Sequence, residues 1–271
     1  MSERASAPVL VRGVGDVGSA VAVVLFRAGY SVALHDDPAP STPRRGMAFA
    51  DAVFDGWATL DSLTAVRVQT AAELRHGLNA GDVVPVTTAP FSEVVGAAAW
   101  AAVIDARMRK RAVPERQRGL APLTIGLGPN FVAGETVDLA IETKWGERLG
   151  EIVEAGATLP LGGEPRPIGG IGRARFIYAP QAGRFKTAAR IGDRVSEGDA
   201  VASIDALSLR APIGGVLRGL TRSGVEVVVG TKVIEVDPRC DPAGAFGLGE
   251  RPRRIAEGVL KALTKAPVLA L

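Results

Sequence analysis

Cysteine and histidine, the side chains that most often build disulfides and transition-metal sites, are scarce in this sequence of 271 residues. There is one cysteine, Cys240, and there are two histidines, His35 and His76. A single cysteine excludes a disulfide within the chain. So few ligands of these types also argue against a zinc or iron site of the Cys/His kind. We therefore expect no metal centre.

Long apolar runs are also absent. No stretch of apolar residues reaches the ~18 that a membrane-spanning helix requires. The first seven residues, Met-Ser-Glu-Arg-Ala-Ser-Ala, are polar and lead directly into a strand pattern, so we expect no signal peptide. Together with the lack of disulfides, these absences predict a cytoplasmic protein with no membrane partner.

Aromatic residues make up only 5% of the chain and are missing where positive charge is densest. The net charge is +3, and much of the excess lies in a basic run between Arg107 and Arg118. A surface that binds nucleic acid usually interleaves aromatic side chains with such charge. We therefore predict no nucleic-acid partner, and we interpret the basic run as a solvated helix end and loop.

Glycine and proline are abundant, with 33 and 18 residues, and they separate short apolar runs as turns do. Strand and helix patterns alternate first, with a strand over 9–13, a helix over 16–28 and a strand over 31–34. Further strands are predicted at 65–69, 83–86, 123–127 and 137–142, with helices at 49–54, 71–78 and 92–110. This alternation predicts a Rossmann-like α/β domain with a parallel sheet over residues 1–165.

The pattern changes after a stretch rich in glycine and proline. Residues 173–240 contain short runs of alternating hydrophobicity that are broken by glycine turns, which predicts a second domain made of β-strands. Residues 241–271 return to helical spacing between 255 and 263, which predicts a helical C-terminal tail. The expected order is therefore an α/β domain, a β domain and a tail.

A glycine-rich turn follows the first strand. Gly13, Gly15 and Gly18 fit the pattern G-x-G-x-x-G, and Asp36 follows at the end of the next strand, about 20 residues later. In a dinucleotide site such glycines admit a pyrophosphate to the helix N-terminus, and the acid binds the ribose hydroxyls. Two interpretations stay open: a nucleotide site, or a tight turn of an ordinary α/β fold in which Asp16 caps the helix.

The β domain contains two near-repeats that begin at Ala179 and Ala211. In each, strands and glycine turns follow at matching positions. This segment resembles the biotinyl/lipoyl domain family, whose two halves form a barrel-sandwich hybrid. Carrier members of that family present a lysine on the hairpin that joins the halves. Here Ser208 occupies that position, and no lysine lies between Lys186 and Lys232. We therefore expect no covalent biotin or lipoate.

Six short motifs follow one another over nearly the whole chain. They are Val11-Arg12-Gly13-Val14-Gly15-Asp16, Pro43-Arg44-Arg45 with Phe49-Ala50-Asp51-Ala52-Val53-Phe54-Asp55-Gly56, Asp105-Ala106-Arg107, Ile125-Gly126-Leu127-Gly128-Pro129, Glu142-Thr143 and Val236-Asp237-Pro238-Arg239. In this order they resemble the accessory proteins of selenium-dependent molybdenum hydroxylase systems (YqeB-like), which are related by role to maturation factors for xanthine and carbon monoxide dehydrogenases. The resemblance implies a cytoplasmic accessory protein that acts on a molybdenum hydroxylase or its pterin cofactor.

Candidate ligand-binding residues lie where the predicted strands end, as is usual in open α/β sheets. They are Gly13, Gly15, Asp16, Gly18, Asp36, Arg44, Arg45, Arg107, Gly126, Gly128 and Asn130. Two roles are open for the arginines: they clamp a phosphate, or they form ion pairs with Asp51 and Asp105. The sequence does not fix the cofactor. The candidates are NAD(P), another nucleotide and a molybdopterin-type molecule.

Three functions are compatible with these residues. The first is an accessory or maturation protein whose partners are a molybdenum hydroxylase or its maturation proteins, and self-association is compatible with it. The alternative is a nucleotide-dependent enzyme for a redox or sulfur-transfer step on the molybdenum cofactor, and the third is a structural adaptor. We assign no catalytic residue, because no acid/base pair or nucleophile lies near the glycine-rich turn. Cys240 is either a surface residue, a thiolate ligand for molybdenum or an acceptor for sulfur.

Overall fold

The computed structural model describes residues 7–109, 112–160, 162 and 164–265. Its first part contains β1 (Val9–Arg12), β2 (Val32–His35), β3 (Trp57–Leu60), β4 (Leu63–Arg67), β5 (Val84–Thr87), β6 (Ala102–Asp105), β7 (Leu123–Leu127), β8 (Val132–Ala133), β9 (Leu139–Ile141), β10 (Ile152–Val153) and β11 (Gly156–Ala157). Five helices are described, α1 (Asp16–Arg27), α2 (Ala52–Asp55), α3 (Ala71–Ala80), α4 (Phe91–Gly96) and α5 (Glu250–Lys265), with 3₁₀ turns at Arg45–Met47, Arg173–Arg175 and Pro242–Ala245.

Nine of these strands form one large sheet in the order β10-β9-β7-β6-β1-β2-β5-β4-β3. Neighbouring strands run parallel except at the two ends, where β3 pairs with β4 and β10 pairs with β9 in antiparallel fashion. The molecule is thus a mixed α/β structure with a mostly parallel sheet, as the alternating pattern predicts. Strands β8 and β11 form a separate two-stranded ladder.

Helices cover both faces of the large sheet, which explains why its central strands are apolar throughout. On β1, Val9 and Val11 face the core that contains α1 and α5, whereas Leu10 faces the core of α3 and α4. A parallel strand buried on both faces reads as a continuous apolar run rather than as an alternating one. Helix α5 packs beside α1 in the first core through Ile255 and Val259.

One helix prediction is wrong. The segment 92–110 is not a single helix, because α4 ends at Gly96 and the fully buried strand β6 begins at Ala102. The run Ala97-Ala98-Ala99-Trp100-Ala101-Ala102 has apolar residues at every position, so its periodicity cannot separate a helix from a buried strand. The β-branched Val103 and Ile104 then fit the pleated position between β1 and β7.

The β domain comprises β12 (Phe176–Tyr178), β13 (Gly183–Lys186), β14 (Arg194–Val195), β15 (Ala200–Ile204), β16 (Leu207–Arg210), β17 (Gly215–Leu220), β18 (Glu226–Val227) and β19 (Lys232–Asp237). They form two four-stranded antiparallel sheets, β12-β19-β17-β14 and β16-β15-β13-β18, rather than one closed barrel. A shared core, which includes Phe185, Ile204 and Leu217, lies between them. We refer to the two sheets as the β19 sheet and the hairpin sheet.

The hairpin between the near-repeats turns at Asp205 and Ala206, two residues earlier than expected. Ser208 consequently lies within β16, where it pairs with Ser203. Neither the turn nor Ser208 offers an amine, so the expectation of no carrier lysine does not depend on the exact register of the hairpin. Among the described residues, no helix is both long and apolar enough to cross a membrane.

Close packing of α1 onto the glycine-rich turn gives a stability prediction. A Cβ at Gly18 would overlap the carbonyl oxygen of Gly13, which is backbone and cannot rotate away. We expect Gly18→Ala to lower the free energy of unfolding by about 2–3 kcal/mol, because over-packing shifts the backbone. The matched control is Gly96→Ala, since nothing lies within 4 Å of a Cβ there. Urea unfolding of both variants checks this, and equal midpoints would contradict it.

Candidate functional site

The ends of β2, β1, β6, β7 and β9 lie side by side, and we call this row the carboxyl edge. From β1 the chain crosses to β2 on one side, and β6 returns on the other side. This makes the gap between β1 and β6 a topological switch point, where open α/β sheets usually bind ligands. Gly13 follows β1 at this gap with φ +116°, and its Cβ would stand 2.9 Å from the backbone of Ala106 and Arg107. Only glycine fits there.

The glycine-rich turn is held by the acid predicted to bind a ribose. Asp36 Oδ2 accepts a hydrogen bond of 2.7 Å from the backbone amide of Val14, and burial raises the pKa of Asp36. Gly15 is the N-cap residue of α1, and Asp16 is its first helical residue, so Asp16 does not serve as the N-cap. Gly13, Gly15, Gly18 and Asp36 are therefore brought together, with Asp36 already engaged by the turn.

Asp105, at the end of β6, is the centre of a buried polar group. Its carboxylate accepts hydrogen bonds from Arg107 Nη2 at 2.5 Å and from Gln117 Nε2 at 2.5 Å. Glu115 accepts from Arg12 Nη1 at 2.8 Å and from Arg107 Nη2 at 2.7 Å. Burial opposes ionisation of Glu115, but its own backbone amide and the two arginines outweigh burial and lower its pKa to about 2. Arg107 therefore forms the predicted ion pair with Asp105.

A pocket opens beside this group, at the ends of β6 and β7, and we call it the sheet-edge pocket. Apolar, basic and acidic side chains share its wall. The residues that line it are Asp105, Arg107, Met108, Arg109, Ala112, Val113, Pro114, Glu115, Leu127, Pro129 and Phe131. Arg109 is half-exposed at 49% and pairs with Asp37 at 3.2 Å. The pocket thus joins an apolar wall to two arginines and two carboxylates at the ends of β6 and β7.

The other predicted loop follows β7 and borders the same pocket. A Cβ at Gly126 would collide with the ring of Phe131, and Gly128 has φ +102° with Thr143 close by. Asn130 has φ +75° and donates from Nδ2 to the carbonyl of Ala112 at 3.0 Å. These residues shape the pocket through their backbone. The structure therefore brings Arg107, Gly126, Gly128 and Asn130 together at one place.

Arg44 and Arg45 lie elsewhere, between the α/β part and the β domain. Arg44 donates Nε and Nη2 to Glu235 at 2.8 and 3.0 Å, and Nη1 to Asp16 at 2.9 Å. Arg45 donates to Asp51 and to the carbonyl of Leu220. Arg44 therefore connects the start of α1 to β19. A ligand contact of Arg44 or Arg45 stays a prediction.

Further cations surround this ion pair. We call the group the junction cluster: Asp16, Arg44, Arg175, Arg218, Lys232, Glu235 and Arg251. Glu235 is fully buried, and burial raises its pKa, but Arg44 and Lys232 outweigh burial and hold the pKa well below its usual value. Burial, and then repulsion from Arg44, lowers the pKa of Lys232 to about 8.

Sequence reasoning missed the junction cluster and the apolar wall of the sheet-edge pocket. A weak signal existed for Glu235, which stands as a charged residue inside the otherwise apolar run Val233-Ile234-Glu235-Val236. Such a residue needs a buried partner. No signal paired it with Arg44, since 191 residues separate the two. Cys240 is exposed and donates from Sγ to the carbonyl of Pro238, and no group of three or more metal-ligating side chains occurs within the described residues.

Comparison with curated proteins gives one relative. Over 255 residues the chain is 36% identical to the uncharacterized protein YqeB of Escherichia coli strain K12. The alignment covers 94% of this chain and 47% of YqeB, so the chain spans about half the length of that relative. The chain is thus similar in sequence to one half of YqeB. No protein-family model matches it.

Comparison with solved structures gives weaker likenesses. The product-bound ectoine utilization protein EutE (DoeB) from Ruegeria pomeroyi is 22% identical, with coverage of 24% of this chain and 22% of that one and a TM-score of 0.22. A succinylglutamate desuccinylase/aspartoacylase from Rhodobacter sphaeroides is 17% identical, with coverage of 54% and 60% and a TM-score of 0.23. These scores are too low to support an inference about fold or function.

The junction cluster yields a prediction about stability. Arg44→Met removes the bidentate partner of the fully buried Glu235, so we expect the free energy of unfolding to fall by about 3 kcal/mol. Glu235→Gln should cost more, because it leaves several cations close together without their carboxylate. Arg27→Met, which breaks the exposed pair with Asp61, should cost at most about 1 kcal/mol. Urea unfolding measures all three, and equal losses for Arg44→Met and Arg27→Met would refute the buried role.

Proposed function

We propose that this chain is a YqeB-like accessory protein that binds a phosphate-bearing heteroaromatic molecule, a nucleotide or a phosphorylated pterin, at the carboxyl edge. The observation that supports it best is the sheet-edge pocket, which opens at the carboxyl ends of β6 and β7, next to the switch point between β1 and β6. Small-molecule sites combine apolar walls with a few polar groups at such points. The large parallel sheet is, in this proposal, a Rossmann-like ligand-binding domain.

The composition of the pocket suits that ligand class. Met108, Leu127 and Phe131 offer an apolar wall for a flat ring system. Arg109 stands partly exposed at the rim, so its guanidinium can turn toward a phosphate at the cost of an exposed ion pair with Asp37. Arg107 is already bound to Asp105 and Glu115, so it would shape the pocket and present its remaining donors.

The partner part of the proposal concerns a molybdenum hydroxylase. It rests on the order of sequence motifs that resembles the accessory proteins of such enzymes, and it places the protein in the cytoplasm. In this proposal the β domain is a barrel-sandwich hybrid that lacks the carrier lysine and serves as a docking module. The shared core of its two sheets supports that interpretation. The ligand is then the molybdopterin-type cofactor or a nucleotide.

Calorimetry with NADH, NADPH, GTP and a phosphorylated pterin tests ligand binding. We expect one of these probes to bind, and Arg109→Glu to weaken it at least about tenfold, which corresponds to about 1.4 kcal/mol. Arg109 is chosen because its exposed side chain can change without unfolding the protein. The control is Arg148→Glu, which alters an equally exposed arginine paired with Glu151 away from the pocket. Equal affinities for both variants, or no binding at millimolar probe, would exclude this pocket as the site.

Deletion of the gene in its host tests the partner. We expect a molybdenum hydroxylase purified from the deletion strain to contain less molybdenum per polypeptide, because delivery or maturation of its cofactor fails. Elemental analysis and hydroxylase activity measure this. A plasmid that encodes the wild-type chain or Arg148→Glu should restore both, whereas Arg109→Glu should not. Unchanged molybdenum content after deletion would remove the hydroxylase from the proposal.

A further inference from the structure

We propose that the junction cluster forms an oxyanion subsite for a group such as phosphate or sulfate, bounded by Arg44, Lys232 and Arg251 at the start of α1. This site is distinct from the sheet-edge pocket, and it does not depend on the proposed function. Three parts of the chain that lie far apart in sequence supply the cations: the segment before the Arg45–Met47 turn, strand β19 and helix α5.

Direct contacts join Arg44 to Asp16 and Glu235, and Lys232 to Glu235, while the attraction of Lys232 and Arg251 to Asp16 acts over a longer distance. Burial opposes ionisation of Asp16, but Arg44, Lys232 and Arg251 outweigh burial and hold the pKa of Asp16 below its usual value. Arg44 contacts Asp16 directly at 2.9 Å, and Lys232 Nζ lies 3.2 Å from Glu235 Oε2. Arg251 donates only Nε to a described partner, the carbonyl of Thr143, at 2.8 Å. Its guanidinium therefore keeps donors for a further acceptor.

The charges in and around the cluster do not balance. The cations are Arg44, Arg175, Arg218, Lys232, Arg239 and Arg251, and the carboxylates are Asp16, Glu142, Glu235, Asp237 and Asp241, which is six against five. One positive charge is thus left without a counter-charge. Buried charges are stable only when they are paired. A bound anion would supply the missing counter-charge.

The neighbouring backbone favours an anion as well. Asp16 is the first residue of α1, a helix of 12 residues, so the positive end of the helix dipole faces the same cluster. The backbone amides of Gly15 and Asp16 donate to no described residue, and helix N-termini offer such amides to anions. The side chains of Arg44 and Lys232 are 21% and 28% exposed, so an ion can reach them from solvent.

The subsite also lies close to the sheet-edge pocket. Met108 lines the pocket and stands next to Gly128, which stands next to Thr143, the residue that binds Arg251. An oxyanion in the subsite is therefore either a free ion or the phosphate of a molecule whose ring occupies the pocket. Both have the chemistry that these cations recognise, and a competition experiment separates them.

Sulfate is the probe for the full-length protein, since its charge stays fixed near neutral pH. It is titrated by calorimetry at pH 7 and constant ionic strength, with chloride as the balancing anion. We expect Lys232→Met and Arg251→Met each to weaken sulfate binding by about tenfold or more. The controls are Lys186→Met on β13 and Arg253→Met on α5, both exposed cations outside the cluster, which should leave the affinity unchanged within about twofold.

A second measurement needs no variant. Reductive methylation followed by mass spectrometry gives the rate at which each lysine reacts, and sulfate should slow Lys232 while Lys186 is unaffected. Displacement of sulfate by a bound nucleotide would make the oxyanion part of that ligand, and simultaneous binding would make it a free ion. Both results support the subsite. Equal sulfate affinity in all four variants, or no protection of Lys232, would overturn it, whatever the outcome for the pocket.

Discussion

The contact on which the arrangement of the molecule depends is the one that Arg44 makes with two carboxylates at once. Asp16 begins α1 in the α/β part, and Glu235 lies fully buried in β19 of the β domain. A carboxylate with no exposure is stable only with several donors, so β19 must stay next to Arg44. The start of α1 is fixed in the same way. The geometry of the carboxyl edge is therefore set partly by the β domain.

The glycine-rich turn adds a second constraint, which acts through the backbone. Gly13 touches the chain that leaves β6, and Gly18 touches Gly13, so β1, α1 and β6 meet with no room for a side chain. Asp36 then fixes the turn from β2 through the amide of Val14. Such contacts make the switch point rigid before any ligand arrives. Rigidity of this kind lowers the entropic cost of binding at the edge.

Much of the α/β layer could be predicted from sequence, and the reasons are local. The turn at Gly13 and the helix after it follow from residue types at fixed spacing, and α1 begins at Asp16 and ends at Arg27. The helix predicted over 92–110 is wrong because an unbroken apolar run has no period. Only its place between β1 and β7 makes part of this segment a strand. The loop after β7 was also correctly placed at the edge.

The candidate site could be predicted only in part, because its partners are far apart in sequence. Gly13, Arg107 and Gly128 meet where parallel strands end, which topology alone predicts. Arg44 and Glu235 are 191 positions apart, one in the α/β part and the other in the β domain. No local sequence pattern encodes their contact. Lys232 and Arg251 are ordinary surface residues by composition. Their partial burial follows from the packing of α5 beside α1 and of β19 beside Arg44.

The attachment of the β domain bears on what that domain does. The β19 sheet is attached to the segment 41–45. Leu220 forms hydrogen bonds with Pro43 and Arg45, and the next residue, Thr221, donates to the carbonyl of Ser41. Arg44 contacts Glu235 in the same sheet. The hairpin at Asp205 belongs to the other sheet and makes none of these contacts. A carrier domain presents its lysine on this hairpin, and here the hairpin contains no lysine. The part of the module with a clear physical role is therefore the β19 sheet, which supplies Glu235 and Lys232 to the junction cluster.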